Sequence, residues 1–321
     1  MAGYKVGIAV VLLLLAVVAG IAVYALWPSG LGQASSHTMR SRFLQAIRVH
    51  QSMGALAPPT TRSGAGHLYM KAYNKLVALA PDADSLDNAR HNTAPEKDPQ
   101  LMKIVTLLEQ AATRSIGRKH LVFSATIPIP AVDDPVADRI SALGDICSTA
   151  GAGLMIDGKP HAAEKALQAC AVFGQRVWRR GLLVSVRGNG LGAMEFGVQG
   201  LEQLYKKGHP LANPEKYSQC EKLHRAIAAA TKRWFAKLGF VCVTDPRAAN
   251  MVYMVKHDKD LSWRIAAIME LGVARWATDY SPRADAIKHY LNQRTLSPNK
   301  WIRRAAKRAA GMTLQDIRMA S

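Results

Sequence analysis

The sequence predicts an all-α protein: an N-terminal transmembrane helix followed by an α-solenoid-like body. Three observations carry that expectation. The stretch Val6 to Trp27 holds no charged residue. The chain as a whole mixes Ala, Leu, Lys and Arg with only 7% aromatic residues, a composition that favours helix. Near the end, two stretches align without a gap at a spacing of 39 residues, which is the signature of stacked helix pairs.

Val6 to Trp27 is long enough, as a helix of ~33 Å, to cross a hydrocarbon core of ~30 Å. Tyr24 and Trp27 stand where an interfacial aromatic belt would lie, and Pro28 ends the helix. A cleaved signal peptide is the rival, with Gly32-Gln33-Ala34 as its small-residue site, but the apolar run is longer than such peptides use. Lys5 and the amino terminus place residues 1–5 in the cytoplasm as a short tail. The expected localisation is therefore the bacterial inner membrane, single-pass, with the bulk of the chain on the periplasmic side.

The whole chain has 49% hydrophobic residues, which excludes general disorder. Net charge is +19 and uneven: residues 1–158 carry +3 and residues 159–321 carry +16. Such a field attracts anionic partners, whether acidic protein, anionic lipid or acidic envelope polymer. Nucleic acid is disfavoured for a body outside the cytoplasm and returns if the orientation is reversed.

Residues 28–137 form a helical and extended first part. Helices are expected over 36–57, across Leu68, Tyr69, Ala72 and Leu76, and over 101–112, with a long loop at 81–99. His120 to Pro130 reads as extended chain draped over helices, because Pro128 and Pro130 bar a central strand. Residues 138–245 are helical hairpins. One helix runs to Ile156, Gly158 and Pro160 mark a turn, and a second runs to Arg180. With Ala163, Ala166 and Ala169 on its second arm, this hairpin loosely resembles a tetratricopeptide repeat without that repeat's large aromatics. A further long helix, 214–238, is closed by Gly239, with Lys222, Arg225, Lys232, Arg233 and Lys237 on its polar side.

Candidate chemistry is sparse. Gly188, Gly190 and Ala193 match GxGxxA, but long helices precede the stretch and no second strand follows. The plainer reading is a helix in which Gly188 and Gly192 share a face that admits a neighbour. Glu195 reads as a partly exposed acid with no second carboxylate at a readable spacing. Cys220 and His224, one turn apart, form a possible metal pair that lacks a matching second pair. No cofactor and no metal is expected. Cys147 and Cys170 lie level across the Gly158 turn, so either a bridge or two buried free thiols is open. Cys220 and Cys242 are too far apart to pair along one helix.

Residues 246–312 hold the aligned copies, Asp258 to Gly272 and Ser297 to Gly311. Arg264 corresponds to Arg303, Ala266-Ala267 to Ala305-Ala306, and Gly272 to Gly311. Asp258, Arg264, Ala267, Leu271 and Gly272 resemble the second helix of HEAT repeats. Pro298, Ile302, Arg303, Ala306 and Gly311 do so in the second copy, where Ser297 and Ala310 depart from the pattern. The first helices of the two pairs are expected at about 246–256 and 282–292. The expected role of Asp258 and Ser297 is to cap the second helices, and that of the glycines to end them. A tail, 313–321, follows. The whole chain also resembles uncharacterised bacterial membrane-anchored helical proteins ending in such repeats.

HEAT-type resemblance implies protein–protein scaffolding and brings no activity. No nucleophile motif or phosphate loop is readable. The expected function is a non-enzymatic scaffold that binds a protein partner at the inner membrane. The alternative is a basic surface for anionic lipid or an acidic envelope polymer, and an enzyme with a site assembled from distant residues ranks below both. The site residues are Lys300, Arg303, Arg304, Lys307 and Arg308, at i, i+3, i+4, i+7 and i+8 on one helical face, with no Asp or Glu from residue 286 to 315.

Overall fold

A computed structural model describes residues 47–49, 52–60, 62–117, 120–123, 127, 134–241, 248–277, 282–313 and 315–316. The chain divides into two compact units, Met1–Gln45 and Ala46–Ser321, and all the described residues belong to the second. They are overwhelmingly helical, as expected of an all-α protein. The helices are α1 (Ala65–Leu79), α2 (Ala83–Arg90), α3 (Pro99–Ala112), α4 (Pro135–Ile156), α5 (Pro160–Arg180), α6 (Val184–Tyr205), α7 (Pro214–Val241), α8 (Ala248–His257), α9 (Leu261–Ala277), α10 (Pro282–Arg294) and α11 (Lys300–Ala310). Two two-residue strands, β1 (Arg62–Ser63) and β2 (Arg114–Ser115), pair in parallel.

The expectation of a membrane anchor is corrected. Among the described residues, no helix is long and apolar enough to cross a membrane. The 22-residue helices have the length but not the composition: α4 carries Asp138, Arg139 and Asp145, and α6 carries Arg187, Glu195 and Glu202. The stretch 6–27 lies outside the described residues. The transmembrane and signal-anchor assignments, and the inner-membrane localisation built on them, are withdrawn.

Local chemistry explains the helix starts. Asp82 and Ser85 form a reciprocal capping box, which opens α2 inside the segment expected to be loop. Asp98 accepts from Gln100 and Leu101 to start α3, and Asp134 accepts from Val136 to start α4. The α4–α5 turn falls at Gly158, whose φ of +72° suits glycine. The expected helix 36–57 lies mostly outside the described residues, which show only a 3-10 turn at Gly54–Leu56. Within 120–130, Leu121, Phe123 and Ile127 are buried, and the Leu121 N–H donates to Arg180 O.

Helix α5 packs against α3, α4 and α6, and its contact with α6 is the most extensive among the described helices. A methyl group on Gly174 would overlap the backbone nitrogen of Met194, and one on Gly197 the backbone nitrogen of Ala171. Gly190 has Trp178 N 2.7 Å from where its Cβ would stand. Gly188 meets the Trp234 ring of α7, whereas Gly192 meets nothing within 4 Å. Gly239 does not close α7, which continues to Val241.

Helix α9 packs on α8, α10 and α11. The two aligned copies share their turn chemistry in register. Asp258 Oδ1 accepts from Asp260 N–H, and Ser297 Oγ accepts from Asn299 N–H. Asp260 Oδ1 then accepts from Ser262 N–H, and Asn299 Oδ1 from Trp301 N–H. The helix caps are thus Asp260 and Asn299, two residues later than the sequence pattern placed them. Gly311 does cap α11, but α9 runs past Gly272. There the missing side chain admits α11 instead, with Ala309 Cβ 2.9 Å from where a methyl group would lie.

Candidate anion-binding face

Helix α11 is amphipathic in the strict sense. Trp301, Ile302, Ala305, Ala306 and Ala309 are buried, while Lys300, Arg304, Lys307 and Arg308 are exposed. Both ends of the helix are fixed. Asn299 caps the first turn, and at the other end Arg275 of α9 donates to Ala310 O (2.8 Å) and Met312 O (2.7 Å). The indole N–H of Trp276 also donates to Met312 O. The face therefore rides on a helix that is clamped to α9.

Of the five cations singled out, Arg303 turns back on its own loop. Its Nη1 donates to Ser297 O (2.7 Å) and Pro298 O (2.9 Å), so its charge is spent on the turn before α11. The other four remain for solvent or a partner. Lys300 Nζ and Arg304 Cζ each lie 5.0 Å from the Trp301 ring centroid, which gives the face an aromatic floor. Arg308 has a loose contact with Asp316, 3.9 Å away, whose carboxylate is already bound by the Thr313 N–H and hydroxyl. Like charges at i, i+4 cost ~0.2–0.5 kcal/mol a pair, and Lys300–Arg304 and Arg304–Arg308 are two such pairs. A bound anion relieves that cost.

A second charged cluster is buried and joins α6 and α7 to the α8–α9 turn. The Arg187 guanidinium donates to Asp260 Oδ2, to Ser262 Oγ (2.7 Å) and to Trp178 O (2.7 Å). Burial pushes the Asp260 carboxyl up, but the charge and hydrogen bonds of Arg187 and Ser262 outweigh it and hold it below the usual range. Lys237 Nζ lies 2.6 Å from Asp258 Oδ2, an ion contact poorly aligned as a hydrogen bond, with side chains 2% and 0% exposed. Lys237 therefore does not belong to the polar side of α7, where the sequence placed it. This cluster fixes α9, and through α9 the basic face.

The remaining candidates resolve as packing. Cys220 is buried, and His224 faces away toward two glutamates of α6: Glu202 (3.4 Å from Nδ1) and Glu195 (3.8 Å from Nε2). The two carboxylates sit at opposite ring nitrogens and do not converge. Among the described residues no group of three His, Cys, Asp or Glu could hold a metal. Glu164 accepts from Tyr205 (2.5 Å) and Lys216 (2.8 Å), tying α5, α6 and α7 together.

Compared with known proteins, the chain matches no family model, no curated protein and no solved structure.

Proposed function

We propose that this chain is a non-enzymatic helical scaffold that holds an acidic protein partner on the basic face of α11. The observation that carries the reading is the state of Lys300, Arg304, Lys307 and Arg308: exposed, of one sign, and presented by a helix fixed at both ends. A face whose supporting helix is already ordered loses little further freedom on binding, so more of its charge attraction appears as affinity. Residues 300–308 span ~12 Å along the axis, which suits two turns of an acidic helix. The helix pairs α8–α9 and α10–α11 are read as two HEAT-type repeats, supported by their turn bonds in register. Scaffolding follows from that reading by analogy of fold.

The test is the triple variant Lys300→Glu, Arg304→Glu, Arg308→Glu, which leaves Arg303 on its carbonyls. Binding of a labelled polyglutamate chain, of anionic phospholipid vesicles and of an acidic polysaccharide is measured at two salt concentrations. The expected result is binding of the polypeptide by the parent chain, weakened about tenfold or more in the triple variant with helicity unchanged, and weakened by salt in the parent. Equal affinity of the two chains refutes the reading. Binding of vesicles or polysaccharide but not polypeptide transfers the face to the rival class of partner.

A further inference from the structure

Cys147 and Cys170 take no part in the basic face, yet they are placed with care. They sit on α4 and α5, on either side of the Gly158 turn, and both are 0% exposed. Each thiol reaches into the other's helix. Cys147 Sγ donates to Ala166 O at 3.2 Å. Ala166 O is the carbonyl that accepts the Cys170 N–H within α5, so the Cys147 sulfur lies beside the Cys170 backbone. In return, Cys170 Sγ lies 3.4 Å from Gly144 O, three residues before Cys147, and 3.2 Å from Ala193 O of α6. Both sulfurs are therefore directed into the seam between α4 and α5. Both are free thiols, as is the buried Cys220 of α7. Cys242 lies outside the described residues.

We propose that Cys147 and Cys170 form a redox-modifiable site whose substrate class is a low-molecular-weight disulfide, and that its oxidation locks α4 to α5. The chemistry is two successive thiol–disulfide exchanges. One cysteine, as thiolate, attacks a sulfur of the small disulfide. A mixed disulfide forms and one small thiolate leaves. The second cysteine, deprotonated in turn, attacks the protein sulfur of that mixed disulfide and expels the second small thiolate. One protein S–S bond replaces two S–H bonds. The two protons and two electrons end on two molecules of small thiol.

The surroundings set the rate. Only thiolate attacks, and the site has no exposed sulfur. Contact with the Cys170 thiol, then burial, pushes the Cys147 thiol well up. Exchange therefore proceeds through opening of the hairpin and not in the closed fold. Oxidation is slow in native buffer and speeds up when a little denaturant opens the helices.

The experiment uses the full chain. It is held in glutathione buffers of graded oxidised-to-reduced ratio, with and without sub-denaturing urea, then alkylated under denaturing conditions and mapped by peptide mass spectrometry. The expected product links Cys147 to Cys170, forms faster in urea, and keeps the parent helicity. Its loop joins residues 23 positions apart, so the folded-to-unfolded ratio rises by about 300-fold. Cys170→Ala removes both the linked peptide and the added stability. The proposal is overturned if both thiols remain alkylatable at a ratio that oxidises the urea-unfolded chain. It is equally overturned if linkages to Cys220 or Cys242 dominate, or if the linked form is no more stable.

Discussion

Lys237 is a cation with almost no access to water. Burial pulls its pKa down, and burial pushes that of Asp258 up, each against the attraction of the other. Both groups are driven toward their neutral forms, so the pair is held by its surroundings and contributes little net stability. Lys237→Met alone, or Asp258→Asn alone, strands one charge or dipole and should cost about 3–5 kcal/mol in urea unfolding. The double variant should lie within about 1 kcal/mol of the parent or above it, because the amide introduced by Asp258→Asn keeps an acceptor for the Asp260 N–H. A carboxyl raised by folding loses stability as pH rises from the usual aspartate value of ~3.9 through its raised one, and the double variant should lack that slope. Lys237 is legible in part. It falls seven residues after the buried Ala230 and fourteen after the buried Leu223, the same helical face, yet its charge argues for solvent. Arg187 is not legible, since its partner Asp260 is 73 residues away.

At the scale of the element, α5 and α6 meet backbone to backbone. Gly174→Ala should destabilise by about 1–3 kcal/mol or more, because the new methyl meets main chain that cannot rotate aside. Gly192→Ala should instead stabilise by about 0.5–1 kcal/mol, since its side is open and alanine is the better helix former. Thermal unfolding of the two variants distinguishes the glycines that pack from the one that does not. The sequence marks Gly188 and Gly192 as a pair by spacing, but which side of a helix receives a neighbour depends on the neighbour. Helix α2 is hidden for a different reason. The Pro, Asp and Asn of 81–99 read as loop, and the capping box of Asp82 and Ser85, the start signal inside that stretch, is masked by them.

At the scale of the molecule, α5 lies among α3, α4 and α6, whereas among the described residues α10 and α11 have only α9 and each other as close neighbours. Hydrogen exchange followed by mass spectrometry should show the slowest amides in α5 and faster exchange across α10 and α11. Helical class and most helix positions are readable because both depend on short-range periodicity and local breakers. The four exposed cations of the basic face are readable for the same reason, lying within nine positions of one another, whereas the turn of Arg303 onto its own loop is not. The charged cluster that seats α9 is not, because it is assembled from three separated segments. The most conspicuous signal of all, 6–27, bears on residues outside those described.

The two cations over Trp301 give the face a built-in optical signal. Indole emission responds to nearby charge, and here Lys300 and Arg304 both hold positive charge at 5.0 Å from the ring centroid. An anion that draws either side chain outward changes the field on that one chromophore. Subtracting the spectrum of a Trp301→Phe variant from that of the parent isolates it from the other five tryptophans. A titration with polyglutamate should then move the difference spectrum saturably, and salt should reverse the movement. A flat difference spectrum at saturating ligand means that the polyanion leaves Lys300 and Arg304 where they are.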